Sequence, residues 1–172
     1  MSLELRTERL LLRPPVRADF DAYAAMWAEE FVARHVTGTP QSRADSHMRF
    51  QRVLGGWAFS GFGFFSIFNA AGQYLGQTGL FEAMRELGAD FDTAPEAGWS
   101  LRKAATGKGY ALEATLAVHG WFDAQPFAQR TVCMISPDNA ASISLAQKCG
   151  YAAFGQAHHA GGDVVLMQRA CT

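Results

Sequence analysis

Glu96-Ala-Gly-Trp-Ser-Leu-Arg-Lys-Ala-Ala-Thr-Gly-Lys-Gly-Tyr-Ala-Leu-Glu-Ala-Thr-Leu-Ala117 is the stretch from which the rest of the chain can be read. Glu96 to Leu101 has the pattern of a short strand, Arg102 to Gly109 that of a basic turn, and a helix begins near Gly109. Arg102, Lys103 and Lys108 place three positive charges within seven residues, with no acid among them. Gly107 and Gly109 let the backbone take dihedrals that a side chain would penalise and pass close to a ligand. The first turn of a helix leaves about four N–H groups without partners and carries the positive end of the macrodipole. A strand, a glycine turn and a helix N-terminus together make a cradle for an anion, most often phosphate. The same string also fits an ordinary strand-to-helix loop with solvated lysines.

The composition is that of a globular chain. Its 172 residues suit one domain with a substantial core, and 49% hydrophobic with 18% charged content argues against disorder. A net charge of −1 argues against general nucleic-acid binding, which needs a basic excess. Cys133, Cys149 and Cys171 are odd in number and lack CxxC spacing, so they read as free thiols of a reducing, cytoplasmic compartment. The charged N-terminal string MSLELRTERLLLRPP does not have the pattern of a signal peptide. Val53 to Phe81 carries no charged residue and is long enough to span a bilayer, but it holds seven glycines and the turn Asn69-Ala-Ala-Gly72. Two buried strands joined by a hairpin fit it better, so no membrane partner is expected.

Outward from the central stretch, Leu10 to Arg13 reads as a first strand stopped by Pro14 and Pro15. A helix runs from about Asp19 to Glu29, and a second from Ser42 to about Leu54. Phe62 to Asn69 and Gln73 to Phe81 are the hairpin strands, and Glu82 to Glu96 is an acidic connection with Arg85 as its single cation. The helix after Gly109 sets Ala111, Ala114, Val118 and Phe122 on one face. Arg130 to Ile135 is a strand, Asn139 to Lys148 a helix closed by Gly150, and Tyr151 to Ala157 with Val164 to Gln168 a last hairpin. Strands followed by β–α–β–α–β–β make an α/β (α+β) chain with a mostly antiparallel sheet.

From Trp99 to Gly150 the chain resembles the GCN5-related N-acetyltransferase (GNAT) superfamily. Its glycine motif maps onto Thr106-Gly107-Lys108-Gly109-Tyr110-Ala111, with Thr106 where Arg or Gln is usual. Thr7-Glu8-Arg9-Leu10-Leu11-Leu12-Arg13, Asn139-Ala-Ala-Ser142 and Gln147-Lys148-Cys149-Gly150-Tyr151 resemble the ribosomal-protein N-terminal acetyltransferase (RimJ/RimL-type) branch. The resemblance implies a single GNAT domain over residues 1–172, with a mixed, mostly antiparallel sheet of six to seven strands and about four helices. It implies acetyl-CoA as cosubstrate and no metal. The pyrophosphate would lie on the backbone from Gly107 to Leu112, with Arg102 and the lysines adding charge. Trp99, Ser100 and Leu101 would offer a splayed strand edge to the pantetheine amides. Asn139 and Ser142, one turn apart, would meet the same arm. Asn139 after Pro137-Asp138 is equally a plain N-cap.

Direct transfer needs a neutral amine. A lysine-like amine with pKa near 10.4 is neutral about once in 2,500 molecules at pH 7, a cost of about 4.6 kcal/mol. An α-amine near 8 costs about 1.4 kcal/mol, so a base matters less for it. Glu96 stands where many relatives carry a glutamate and is the first candidate base; Glu82 is the second. Either is also readable as a solvated carboxylate or an ion-pair partner. Relatives often protonate the leaving thiolate with a tyrosine one turn beyond Ser142; here that residue is Ala146, leaving Ser142 as the candidate donor. The glycine string lacks the third glycine of a dinucleotide fingerprint and the Gly-Lys-Ser/Thr ending of a P-loop. The five histidines show no metal-ligand spacing, and His119 reads as a packed residue. The expectation is a cytoplasmic acetyl-CoA-dependent N-acetyltransferase, monomeric or homodimeric, acting on a protein N-terminus or a small-molecule amine. A non-catalytic acyl-CoA-binding module on the same fold is the alternative.

Overall fold

The computed structural model describes residues 3–171. Eight strands form one sheet in the order β1-β2-β3-β4-β5-β6-β8-β7. They are β1 (Leu5–Arg6), β2 (Leu10–Arg13), β3 (Phe64–Asn69), β4 (Tyr74–Phe81), β5 (Glu96–Leu101), β6 (Thr131–Ile135), β7 (Ala152–His159) and β8 (Gly162–Arg169). Six α-helices accompany them: α1 (Phe20–Trp27), α2 (Glu30–Ala33), α3 (Arg43–Ser60), α4 (Ala89–Asp92), α5 (Tyr110–Asp123) and α6 (Ala140–Lys148). Every neighbouring pair is antiparallel except β5 and β6, which run parallel. The mixed, mostly antiparallel sheet is the one expected; the two-residue β1 and the one-turn helices α2 and α4 carry too little periodicity to be read from sequence.

The stretch 96–117 folds as its pattern indicates, with β5 ending at Leu101, a 3-10 turn at Lys103–Ala105, and α5 starting after Gly109. Ala114, Val118 and Phe122 turn inward from α5 and are buried against the sheet. Phe122 packs with Leu80, Cys133 and Met167; Val118 with Leu12, Phe65 and Ile67. Each large side chain removed from water in this way contributes about 1.5–3 kcal/mol.

The helix expected to end near Leu54 runs on to Ser60 through Gly55 and Gly56. Two adjacent glycines cost a helix about 2 kcal/mol relative to alanine. Tertiary contacts offset this: the Trp57 indole donates to the Phe64 carbonyl at 2.7 Å and packs against Phe65 and Trp121. The helix stops at Gly61, whose φ of 76° is left-handed and whose N–H returns to the Trp57 carbonyl. Thus the first part of the uncharged segment 53–81 is helix and the rest is the expected hairpin. No helix among the described residues is long and apolar enough to cross a membrane.

His119 is a buried residue of α5, with Nδ1 2.7 Å from the Thr115 carbonyl and Nε2 2.7 Å from the Tyr151 hydroxyl. A carbonyl only accepts, so Nδ1 carries the proton and Nε2 accepts from Tyr151. Tyr151 in turn is 2.8 Å from Thr131 Oγ1. Burial lowers the histidine pKa to about 4 and raises that of the tyrosine.

Candidate active site

The parallel pair β5–β6 opens the site. Their register is limited to Glu96 opposite Val132, with the Val132 N–H bonded to the Pro95 carbonyl. On its other side β5 stays paired with β4 along its full length, from Phe81–Glu96 to Gly76–Leu101. Beyond Glu96, then, the β5 edge facing β6 has no partner strand. The strands diverge around a cavity of about 620 Å³ lined by Glu96, Trp99 and Ser100 on one side and Ile135, Asn139 and Ser142 on the other.

Trp99 and Ser142 touch across this cleft: the indole N–H donates to Ser142 Oγ at 3.2 Å. That contact uses a lone pair of Ser142 and leaves its hydroxyl proton free to donate elsewhere. Asn139 Oδ1 accepts from the Ser142 N–H at 3.2 Å. Asn139 is therefore the N-cap that Pro137-Asp138 suggested, and it also lines the cleft, with its amide N–H groups still able to donate. Leu101 is buried in the core.

The glycine turn follows β5 and leads into α5. Gly107 and Gly109 have φ of 74° and 80°, conformations that only glycine takes without strain. The first intrahelical bond of α5 runs from Glu113 N–H to the Gly109 carbonyl, so the amides of Tyr110, Ala111 and Leu112 sit ahead of it at the helix mouth. Thr106 turns back on its own loop, its hydroxyl donating to the Lys103 carbonyl at 2.8 Å. Lys108 Nζ donates to the Ala104 carbonyl at 2.9 Å. Arg102 was expected to add charge for phosphates, but its Nε donates to Glu29 at 2.8 Å; the other Glu29 oxygen accepts from Lys103 N–H. Arg102 thus anchors the turn to the loop between α1 and α2.

A second anchor comes from the N-terminal string. Arg9 Nη1 donates to the Lys108 carbonyl at 2.9 Å and Arg9 Nε to Glu113 at 2.7 Å, while the guanidinium lies 4.7 Å from the Tyr110 ring centre. The Thr7 hydroxyl and Arg9 N–H reach the other Glu113 oxygen at 2.6 and 3.1 Å. Burial raises the Glu113 carboxyl pKa, but the bonds from Thr7 and Arg9 outweigh it and bring the group below its usual value. A Cβ on Gly109 would stand 3.2 Å from Arg9 Nη2, so the glycine also makes room for this latch. In the sequence these residues are only a family-like string, because partners about a hundred positions apart leave no local signal.

Glu96 is 5% exposed and its carboxylate is held on both oxygens by Arg85, at 2.8 and 2.9 Å. Both residues line the cleft. Glu82 is exposed and lies on a neighbouring cavity with Phe59 and Met84. Ala146 is fully buried in the core, with Phe62 and Phe122 in the same cluster. Tyr110 lies under Arg9, and Tyr151 is held by His119, so neither is a phenol of the cleft. The acidic segment 82–96 is internally tied: Asp92 accepts from the N–H groups of Arg85, Leu87 and Gly88 at 2.8–2.9 Å. No His/Cys/Asp/Glu cluster suited to a metal occurs among the described residues.

Comparison with known proteins agrees with this geometry. Residues 9–152 match the family model described as an acetyltransferase (GNAT) domain. No curated protein sequence matches significantly. Among solved structures, a protein provisionally assigned as a GnaT-family acetyltransferase from Bordetella pertussis is 29% identical, over 98% of this chain and 99% of that one, with a TM-score of 0.88. An acetyltransferase from Agrobacterium tumefaciens is 30% identical over 98% and 94%, with a TM-score of 0.82. RimL, a ribosomal L7/L12 alpha-N-protein acetyltransferase in complex with coenzyme A, is 16% identical over 98% of each chain; its TM-score of 0.81 speaks for the fold alone. Matched by the family model over most of its length, the chain belongs to the acetyltransferase (GNAT) domain family.

Proposed function

We propose that this chain is an acetyl-CoA-dependent N-acetyltransferase of the RimJ/RimL-like branch, transferring acetyl directly to a primary amine on a protein N-terminus or a small molecule. The observation that carries the reading is the divergence of β5 from β6 after Glu96, on the strand that leads directly into the Gly107–Gly109 turn and the N-terminus of α5. An unpaired strand edge suits an extended chain of amides, and a helix mouth with free N–H groups suits a pyrophosphate. Trp99, Ser100 and Leu101 would hold the pantetheine arm through their backbone, with Asn139 and Ser142 opposite. The backbone from Thr106 through Leu112, with Lys103 and Lys108 nearby, would hold the phosphates.

Acetyl-CoA supplies an activated acetyl thioester. The cleft brings the acceptor nitrogen to the carbonyl carbon; a C–N bond forms, the C–S bond breaks, and the amine gives up a proton. In this reading Glu96 receives that proton through a water, since the Arg85 fork leaves each carboxylate oxygen a further lone pair. Ser142, its oxygen already accepting from Trp99, donates to the departing sulfur. A thiol with pKa near 8.5 leaves with little assistance, so a hydroxyl in place of a tyrosine suffices.

The test is thiol release from acetyl-CoA over a panel of amines, beside thermal stabilisation by CoA. Amine-dependent release with stabilisation is the expected result. Stabilisation without release supports the non-catalytic acyl-CoA-binding module instead, and absence of both sinks either reading.

A further inference from the structure

The wall of the cleft formed by α1, the end of α2, α3 and the segment after β4 carries three arginines. Arg34, Arg49 and Arg85 all line the cavity. Arg85 is used by Glu96, and Arg34 is exposed. Arg49 differs from both. It is partly buried, its guanidinium lies 4.3 Å from the ring centre of Trp27, and it forms no carboxylate ion pair among the described residues.

The groups around Arg49 are short of acceptors. Trp27 is 1% exposed and lines the cleft, and its Nε1 makes no hydrogen bond of ordinary geometry. The Tyr23 hydroxyl, equally buried, makes none of ordinary geometry either; its side-chain interactions with the Trp27 and Arg49 donors make it the acceptor they share. An indole donates only, a guanidinium donates five times and accepts never, and the phenol adds one donor. One phenolic oxygen cannot serve them all. An unpaired buried donor is costly, so such a cluster is completed by a ligand that brings acceptor atoms. Burial lowers the Arg49 pKa, and although Tyr23 opposes this, the fields of Arg52 and Arg85 lower it further. With Arg85 already paired to Glu96, Arg49 is the partly buried guanidinium of this wall that has no carboxylate among the described residues, and an entering anion would supply one.

Resting on the transferase reading above, we infer that Arg49, stacked on Trp27, is an anion-recognition subsite at the acceptor end of the cleft, and that the acceptor is a small molecule carrying both a primary amine and a carboxylate, an amino acid. A guanidinium fork matches a carboxylate in two parallel hydrogen bonds, and the stack on Trp27 holds the fork in plane. Arg85, paired with Glu96, keeps that carboxylate in place beside the subsite. The same wall disfavours polycations, because like charges in a partly desolvated site repel.

The experiment measures kcat/KM with acetyl-CoA for the free amino acids, each paired with its own amide and its decarboxylated amine. The expected result is at least one amino acid used about tenfold or more better than its amide, the scale of one charge-assisted pair. In Arg49→Gln that ratio falls to near one; in Arg49→Lys, which keeps the charge but loses the fork, it is intermediate. Equal use of acid and amide by the unaltered protein overturns the inference without any variant having to fold. A ratio unchanged in a folded Arg49→Gln overturns the assignment to Arg49. Preference for peptides over all free amino acids overturns the acceptor class. Failure of the transferase reading shows differently: CoA stabilises the protein but no amine, charged or neutral, releases thiol.

Discussion

Arg9→Ala tests whether the N-terminal string is part of the cofactor site or only part of the fold. The substitution removes the donation to the Lys108 carbonyl at 2.9 Å, that to Glu113 at 2.7 Å, and the stack on Tyr110. Bonds involving a charged group are worth about 1.5–3 kcal/mol each when buried. Arg9 is 44% exposed and Glu113 18%, so solvent screening cuts the sum to about 1–2 kcal/mol. For a chain of this size that lowers Tm by about 2–8 °C. The functional expectation is separate. Lys108 and Tyr110 belong to the turn proposed to hold the pyrophosphate, so loosening it adds ordering cost to binding and weakens CoA about 3- to 30-fold. Isothermal titration with CoA, at a temperature where the variant is fully folded, measures this. Arg43→Ala, which breaks the exposed pair with Asp21 at the start of α3, is the control and leaves CoA affinity unchanged. If Arg9→Ala lowers Tm but binds CoA as tightly as the control, the latch serves stability alone and the reasoning fails. The pH sign follows from Glu113: its carboxyl pKa is lowered in the folded chain, so the latch is intact above about 4.5 and is lost as pH falls below it.

Further expectations concern the cleft and the core. Glu96→Gln keeps the shape of the side chain and lowers turnover while CoA stabilisation persists; unchanged turnover across pH removes Glu96 from the reaction. Ser142→Ala lowers kcat about tenfold with CoA affinity retained, since a thiol leaves with modest help; a loss confined to affinity makes Ser142 a binding group instead. His119 has a folded pKa of about 4 against an ordinary 6.5, so its stabilisation is complete above 6.5 and is lost as pH falls toward 4. The loss is on the order of 3 kcal/mol, measured by urea unfolding between pH 7 and pH 4; a folded His119→Gln variant shows a flatter profile, and an equally steep one refutes the assignment.

What could be read from the chain alone was written at short range. Gly107 and Gly109 predict a turn with left-handed residues because only glycine tolerates that backbone, and both have φ near 75–80°. Asn139 predicts an N-cap three residues before the N–H it accepts, and the bond to Ser142 is there. The face Ala114, Val118 and Phe122 follows helical spacing and is buried. These are relations between residues a few positions apart, set by backbone sterics and by the period of a helix.

What the sequence could not reveal depends on which elements come to lie side by side. Thr7 and Arg9 meet Glu113, Trp99 meets Ser142, and Arg49 meets Trp27 only once the sheet and helices have assembled. Helix α3 outlasts two glycines because Trp57 finds Phe64, Phe65 and Trp121. Glu96 and Arg85 show the difference most plainly. The sequence offered a carboxylate readable as base or ion-pair partner, and an arginine alone among acids. The tertiary structure brought the guanidinium onto both carboxylate oxygens in the lining of the cleft. Local chemistry decided which residues can hold an anion; the packing of distant segments decided which of them are already taken.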